Sequence, residues 1–215
     1  MDDTHLDLPP QELFRLAKVD HYVGRAEELC RMARYSPARQ ALERALKLDG
    51  SNAAAISLCQ EVDRRVLHLT NRNNGSAGEE GTSNRRPRGG LVLVVDQDEQ
   101  MLRSVVESLN RNGFEPVGAG TYEEALQVLA LIRPDAIVSE INFEGGPQGF
   151  ELFHDVKSRA GSNGLPFIFL AATVDRELLI AGKRFGVDDF LLKPVDGEVV
   201  SASVAHCLGR LRVHS

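Results

Sequence analysis

The sequence contains no tryptophan and only three cysteines, Cys30, Cys59 and Cys207. No two of them stand at the spacing of a metal site or a redox motif, so we expect reduced, structural thiols. The longest apolar runs, 91–95 and 165–172, are too short to cross a bilayer. The acidic N-terminus also lacks the basic-then-apolar pattern of a signal peptide. We therefore expect a cytoplasmic protein with no membrane contact.

A surplus of positive charge is absent as well. The chain has 25 basic and 31 acidic residues, a net charge of −6, and the part from Gly90 onward alone carries −7. Nucleic-acid surfaces need clustered Lys and Arg. The cluster of Arg85, Arg86 and Arg88 lies in a polar stretch, and we interpret it as solvated. No nucleic-acid partner is expected.

A polar stretch divides the chain into two parts. Residues 70–90 consist almost entirely of Asn, Gly, Ser, Pro and charged residues, which bury too little apolar surface to offset the entropy of ordering. We predict a flexible linker there, between a helical domain over 9–69 and a second domain over 91–212. An apolar fraction of 42% is ample for the cores of both.

The first domain shows helical periodicity. Leu13, Leu16 and Ala17 fall on one face, and Tyr22, Ala26 and Leu29 continue at helical spacing. Ser36 and Pro37 predict the N-cap and first position of a second helix. Its apolar stripe consists of Ala38, Leu42, Ala45 and Leu46. After the break at 49–52, a third helix is predicted to about Leu69, with the following residues inward: Ala55, Ile56, Cys59, Val62, Val66 and Leu69.

Several of these residues resemble one tetratricopeptide repeat followed by a capping helix. The matching positions are Tyr22, Ala26, Leu29, Tyr35, Ala38, Leu42 and Ala45. Small residues at 26 and 38 allow two helices to approach closely. The family usually has Pro after the second helix, where this chain has Gly50, and a single repeat is too short for a solenoid. A generic helical bundle is the alternative; either one would bind a partner or a second copy.

Short apolar runs alternate with helical patterns from Leu91 onward. Strands are predicted at 91–95, 114–119, 136–139, 166–170 and 189–192, with helices at 99–112, 122–132, 150–159, 174–185 and 196–211. Alternating units of this length predict an α/β fold with a doubly wound, flavodoxin-like parallel sheet of five strands in the order 2-1-3-4-5. Ligands of such sheets lie at the carboxyl ends of the strands.

Four segments of this domain occur in the order found in receiver domains. They are VVDQDEQMLR, PDAIVSEIN, PFIFLAAT and GVDDFLLKPVD. Together they resemble the response-regulator receiver domain over the whole second domain. The resemblance implies phosphoryl transfer to a carboxylate, which depends on positioning and electrostatics. In that family two acids and the acceptor hold Mg²⁺, a lysine neutralises the phosphate, a Ser or Thr hydrogen-bonds to it, and an aromatic residue turns inward.

Three positions match this pattern. Asp96 corresponds to the first acid, Lys193 to the lysine and Phe190 to the switch aromatic. The family's Lys-Pro bond is usually cis, and the bond before Pro194 allows that isomer.

Three other positions depart from it. Gln97 stands where the second acid belongs, and a neutral amide weakens a Mg²⁺ site. Glu140 stands at the acceptor, its carboxylate roughly 1.5 Å farther out, and a misplacement of about 1 Å can cost about a hundredfold in rate. Ala171 has no hydroxyl with which to bind a phosphate. We predict that phosphorylation is lost, that Phe190 is decoupled from the pocket and that no metal or other cofactor binds; Asp96, Asp98 and Glu140 are the candidate ligands otherwise.

Other roles for these residues remain open. Asp98 is better explained as the N-cap of the following helix. Glu140 either partly imitates a phosphoryl group, with a charge of about −1 against roughly −1.5 to −2, or is a solvated loop residue. Asp96 is alternatively a strand-end group paired with Lys193. The loop FEGGPQG has one residue more than the family's Met-Pro-Gly-x-Asp-Gly, so a different turn is expected around Gly145, Gly146 and Pro147.

Three functions follow from these observations. The preferred one is a non-enzymatic response regulator of two-component or phosphorelay type, not phosphorylated. It would bind signalling proteins through its N-terminal helices and the face formed by 174–184, Leu191 and the start of the last helix, with a homodimer left open. The alternatives are a phosphorelay receiver that uses Mg²⁺ and a sensor of a small ligand. No fused DNA-binding or catalytic output domain is expected.

Overall fold

The computed structural model describes residues 9–74, 89–146, 148–158, 164–174 and 176–213. The chain divides into two compact units between Asn71 and Arg72. The N-terminal helices are α1 (Pro10–Arg31), α2 (Tyr35–Leu48) and α3 (Ala53–Asn74). Most of the predicted linker, including Arg85, Arg86 and Arg88, lies outside the described residues. None of the helices in the described ranges combines the length and apolar character needed to span a bilayer.

The helices α1 and α2 pack closely against each other. Ala26 and Ala38, the small residues expected at this contact, are fully buried, as are Leu42 and Ala45. Asn52 caps α3 by accepting a hydrogen bond from the N–H of Ala55 at 2.9 Å. The pattern of small and apolar residues therefore predicted the contact between α1 and α2 correctly, although Leu13 and Ala17 at the start of α1 are exposed.

Three details of the helical predictions were wrong. The helix α2 begins at Tyr35 with Arg34 as N-cap, so Ser36 lies inside its first turn. The cause is Ala33, whose φ of 54° ends α1 and returns the chain to a helix at once. Ile56 is 38% exposed, because the inward line of α3 passes through Ala55, Val62 and Leu69. Finally, α3 continues to Asn74, into the predicted linker, because no Gly or Pro interrupts it before residue 75.

The second unit is built around a five-stranded parallel sheet. Its strands are β1 (Leu91–Val95), β2 (Glu115–Ala119), β3 (Ala136–Glu140), β4 (Phe167–Ala171) and β5 (Asp189–Leu192). They stand in the order β2-β1-β3-β4-β5, which confirms the predicted flavodoxin-like topology. The strands β1, β2 and β4 are buried along their whole length, as expected for a sheet covered on both faces.

Five helices connect and follow these strands. They are α4 (Glu99–Arg111), α5 (Tyr122–Leu131), α6 (Gln148–Ser158), α7 (Arg176–Phe185) and α8 (Gly197–Val213). Their ends agree with the sequence predictions to within two residues. Thr121 caps α5 by accepting from the N–H of Glu124, and Glu124 accepts in return from the N–H of Gly120. The peptide bond between Lys193 and Pro194 is cis.

Candidate functional site

The predicted site residues converge at the carboxyl edge of the sheet. Asp96 follows β1, Glu140 ends β3, Ala171 ends β4 and Lys193 follows β5. The register places Glu140 beside Leu170 of β4, and Ala171 beside Leu192 of β5. This edge is where a doubly wound sheet binds its ligands. The topology thus brings together residues that are up to 97 positions apart in the sequence.

Lys193 lies between two carboxylates. Its Nζ is 2.7 Å from Asp96 Oδ2 and donates to Glu140 Oε1 at 2.9 Å. Asp96 is fully buried, and the side chains of Lys193 and Glu140 are only 16% and 13% exposed. Two negative charges and one positive charge therefore share a poorly hydrated pocket, where charges interact more strongly than in water.

For both Asp96 and Lys193, burial shifts the pKa in one direction and the contact between the two side chains shifts it in the other. Burial raises the pKa of Asp96 to about 6, the nearby charge of Glu140 adds to the rise, and contact with Lys193 opposes it. Burial also acts to lower the pKa of Lys193, but the contacts with Asp96 and Glu140 outweigh it and raise that pKa. Lys193 is therefore held as a cation between the two carboxylates.

Gln97 joins the loop after β1 to the loop after β3. Its Nε2 donates to the carbonyl of Asn142 at 3.4 Å, and its Oε1 accepts from the N–H of Glu144 at 2.9 Å. The backbone N–H of Gln97 also points at Glu140 Oε2, at 3.5 Å. A side chain predicted only as a lost metal ligand thus makes contacts of its own.

Asp98 caps a helix, as its position before α4 suggested. Its Oδ1 accepts from the N–H groups of Gln100 and Met101, at 2.8 and 3.2 Å. The N–H of Asp98 itself donates to Asp96 Oδ1 at 2.9 Å. The Asp98 carboxylate is therefore directed to the helix N-terminus, where both the free N–H groups and the helix dipole favour it.

The arrangement does not fit a Mg²⁺ ion, which prefers an octahedron of oxygens rich in carboxylate charge. Asp96 Oδ2 accepts no hydrogen bond within the described residues, but the Lys193 ammonium already lies 2.7 Å from it. Glu140 Oε1 is bound to the same ammonium, and residue 97 offers a neutral amide. Among the described residues, no group of three or more His, Cys, Asp or Glu side chains is arranged to hold a metal ion.

Ala171 is buried and offers the pocket only its backbone. Its carbonyl oxygen accepts a hydrogen bond from the backbone N–H of Lys193 at 2.8 Å, which fixes the backbone of Lys193 beside the end of β4. A methyl group at this position supplies neither donor nor acceptor. The residue predicted to have lost the phosphate-binding hydroxyl therefore helps to place Lys193 instead.

Phe190 is packed into the core and not directed at solvent. Its ring stacks on Phe169 with centroids 5.5 Å apart and planes at 29°. It also lies against Gly182 of α7, where an added Cβ would come within 2.3 Å of the ring. The inward position of the Phe190 ring therefore requires glycine at position 182.

The loop after β3 closes on itself. Phe143 and Gly146 exchange two backbone hydrogen bonds, each 2.9 Å long. Gly146 has φ +117°, which favours glycine. Gly149 lies so close to the end of β3 that an added Cβ would be 2.2 Å from the carbonyl oxygen of Glu140. The sequence pointed to an unusual turn here, although Pro147 lies outside the described residues.

Asn142, Glu144, Gly149 and Gly182 are the pocket residues that the sequence did not single out. The first two act through backbone atoms, which carry no side-chain signature. The glycines are needed for close approaches between neighbouring elements of the chain, Gly149 to the end of β3 and Gly182 to Phe190 of β5. The additional residue in the loop FEGGPQG predicted a different turn there, but no contact for Glu144.

The comparisons with known proteins agree with this geometry. A family model described as response regulator receiver domain matches residues 92–205. The chain is 33% identical over 119 residues to the transcriptional regulatory protein AfsQ1 of Streptomyces coelicolor, covering 55% of this chain and 51% of that protein. It is 38% identical over 103 residues to the transcriptional regulatory protein PrrA of Mycobacterium tuberculosis, covering 48% and 43%. The chain spans about half the length of the curated relatives it matches.

Solved structures show the same relationship. A candidate response regulator from Chloroflexus aurantiacus superposes with a TM-score of 0.52 at 29% identity, covering 57% of this chain and 100% of that one. DrrB of Thermotoga maritima, an OmpR/PhoB homologue, gives a TM-score of 0.50 at 25% identity, covering 56% and 53%. With a matching family model over residues 92–205 and the matching fold, the chain belongs to the response regulator receiver domain family.

Proposed function

We propose that the chain is an atypical response regulator whose receiver accepts no phosphoryl group and acts by binding other proteins. The observation that carries the proposal is the ion cluster of Lys193, Asp96 and Glu140. The lysine that would neutralise a phosphoryl group is already paired with two carboxylates, at 2.7 and 2.9 Å. No hydroxyl stands at Ala171, and Gln97 lacks the charge that a metal ion requires.

Apolar side chains exposed on three elements of the receiver support a role in protein contacts. They are Ile180 and Phe185 of α7, Leu192 of β5 and Val199 of α8. Phe185 is 73% exposed and Leu192 56%. Leu192, and not the predicted Leu191, is the exposed residue of β5. Large exposed apolar groups favour protein association when they cluster, and we assign these side chains to the binding of a signalling protein.

The N-terminal helices offer a second surface. Leu13 and Phe14 of α1 are exposed, as are Ile56 and Leu67 of α3. Among the described residues of this unit, 9–74, one helical hairpin and a third helix are present, and these apolar side chains are left exposed. We assign this unit to a second protein partner, with a second copy of the chain as the alternative.

A phosphodonor experiment tests the proposal. The full chain is incubated with a small-molecule phosphodonor such as acetyl phosphate and MgCl₂, and its intact mass is measured. We expect no change. A gain of one phosphoryl mass would support the rival function, a receiver that cycles through phosphorylation with Glu140 or a neighbour as acceptor.

A second experiment addresses the contact surface. The oligomeric state and partner binding of the full chain are compared with those of the double variant Phe185→Ser and Leu192→Ser. We expect binding to weaken without a change in fold, and to be the same with and without phosphodonor. Binding that depends on the phosphodonor would contradict the proposal.

A further inference from the structure

The side chain of Gln97 uses both ends of its amide. The Nε2 donor meets the carbonyl of Asn142, and the Oε1 acceptor meets the N–H of Glu144. A carboxylate at this position could still accept from Glu144, but it could not donate to Asn142, because it has no N–H group. The pair of contacts is therefore specific for an amide.

These contacts hold a loop that is already closed at its base. The reciprocal hydrogen bonds of Phe143 and Gly146 form its turn, and the N–H of Gly149 donates to the carbonyl of Ile141 at 3.0 Å. Glu144 lies at the tip of that turn, and Gln97 binds it from the opposite loop. One side chain thus ties the tip of the loop after β3 to the loop after β1.

The contacts of the Gln97 side chain also help to explain why the pocket does not fit Mg²⁺. The carbonyl of Asn142, two residues after Glu140, accepts a hydrogen bond from Gln97 Nε2. The ammonium of Lys193 supplies the positive charge between Asp96 and Glu140. The two loops are therefore joined, and the negative charge of the carboxylates is partly offset, by groups of the protein itself.

We propose that Gln97 is a positioning residue that fixes the loop after β3 without a metal ion and closes the pocket to divalent cations. The inference rests on the proposed function in one respect: a receiver that accepts no phosphoryl group has no need of a metal to bind one. The side-chain contacts of Gln97 do not involve Glu140 at the phosphoryl-acceptor position. An experiment on these contacts can therefore fail independently of the phosphodonor experiment.

The first test follows the backbone N–H of Glu144 by residue-resolved hydrogen exchange in the full chain. In Gln97→Ala this N–H loses its acceptor, and we expect it to exchange roughly fivefold to tenfold faster, the effect of one lost hydrogen bond. The isosteric Gln97→Glu keeps an acceptor and should retain much of the protection. Exchange at Glu144 that is equal in wild type and Gln97→Ala would overturn the proposal.

The second test measures thermal stability with and without millimolar MgCl₂. A ligand that binds only the folded state raises stability in proportion to the logarithm of its concentration above Kd. We expect no response in wild type, and in Gln97→Glu, which adds a third carboxylate to Asp96 and Glu140, a rise that continues with the logarithm of the MgCl₂ concentration. The matched control is Gln100→Glu, which adds the same charge at an exposed position of α4 and should not respond.

Failure of the proposal for Gln97 and failure of the proposed function would give different results. A rise in wild-type stability with the logarithm of the MgCl₂ concentration, or no change in Gln97→Glu on adding MgCl₂, would contradict the closure of the pocket by Gln97. A phosphoryl mass gained by wild type would instead overturn the proposed function, while leaving the exchange of the Glu144 N–H as the measure of the loop contact.

Discussion

Lys193 is the residue on which the pocket depends most. Replacing it with Met removes the ammonium and leaves Asp96 and Glu140 facing each other in a poorly hydrated site. Removing one partner of a buried ion pair costs about 3 kcal/mol in general, and we expect Lys193→Met to lower the free energy of unfolding by about that amount. Urea denaturation of the full chain measures it.

Lys157 provides the matched control for this substitution. It is also partly buried, but its Nζ donates to the carbonyl of Leu165 at 3.0 Å. We expect Lys157→Met to cost clearly less, and the double variant Lys193→Met and Glu140→Gln to recover part of the loss. An equal loss in the free energy of unfolding for Lys193→Met and Lys157→Met would show that the ion cluster of Lys193, Asp96 and Glu140 adds no stability of its own.

Asp96 should make stability depend on pH in a defined direction. Its pKa is about 6 in the folded protein, above the ordinary value of 3.8, chiefly because it is buried. Between these two values the folded state binds more protons than the unfolded state, so the free energy of unfolding falls as pH rises from about 4 to about 6. The raised pKa of Lys193 acts only at alkaline pH.

The test compares wild type with Asp96→Asn across that pH range by urea denaturation. The variant has no titrating group at this position, so we expect its stability to fall less steeply between pH 4 and 6. Parallel curves for the two proteins would mean that Asp96 titrates normally and that its burial carries no electrostatic cost.

Local rules of sequence worked well for single residues. Asp98 was recognisable as a cap because capping depends on the next three residues of the chain. The two contacts of Gln97 were not recognisable, because they depend on where the backbone of residues 142–144 passes. Ser36 failed as a cap because the conformation of Ala33 decided the helix start.

At the scale of elements, the packing of α7 on β5 depends on a glycine. A Cβ at Gly182 would lie 2.3 Å from the Phe190 ring, which would have to move. Overpacking of this kind costs roughly 1–3 kcal/mol, and the helix preference of Ala over Gly offsets about 1 kcal/mol of it. We therefore expect Gly182→Ala to destabilise the receiver by up to about 2 kcal/mol and to displace Phe190 from its stack on Phe169. Unfolding measurements and the aromatic NMR signals report the two effects.

Gly209 of α8 serves as the control. An added Cβ there meets nothing within 4 Å, and Ala favours a helix over Gly by about 1 kcal/mol. We expect Gly209→Ala to be neutral or stabilising. A Gly182→Ala variant as stable as Gly209→Ala would contradict the close contact of Phe190 with α7.

The strands and helices of the receiver were predictable because their periodicity is long and clear. Buried parallel strands appear as unbroken apolar runs, and amphipathic helices such as α4 alternate regularly with them. The end of α3 was not predictable, because polar residues such as Asn71 and Arg72 fit both a helix and a linker. The absence of Gly and Pro before residue 75 lets the helix continue to Asn74.

At the scale of the whole molecule, the receiver scaffold is present in full, and we propose that it has been separated from its phosphoryl chemistry. The sheet order, the cis bond before Pro194, Asp96 and Lys193 are all retained, and the family model matches residues 92–205. The departures that support the proposal are Gln97, Glu140, Ala171 and the longer loop after β3, all at the carboxyl edge of the sheet. On this proposal, the receiver acts through its partner-binding surfaces and does not depend on phosphorylation.

The most direct test of this separation restores the chemistry on the same scaffold. The triple variant Gln97→Glu, Glu140→Asp and Ala171→Thr returns the second acid, the acceptor and the hydroxyl that the family uses. Wild type and the triple variant are each incubated with a phosphodonor and MgCl₂ in separate reactions, and their intact masses are compared. We expect a phosphoryl mass on the triple variant alone; a phosphoryl mass on wild type would contradict the central claim.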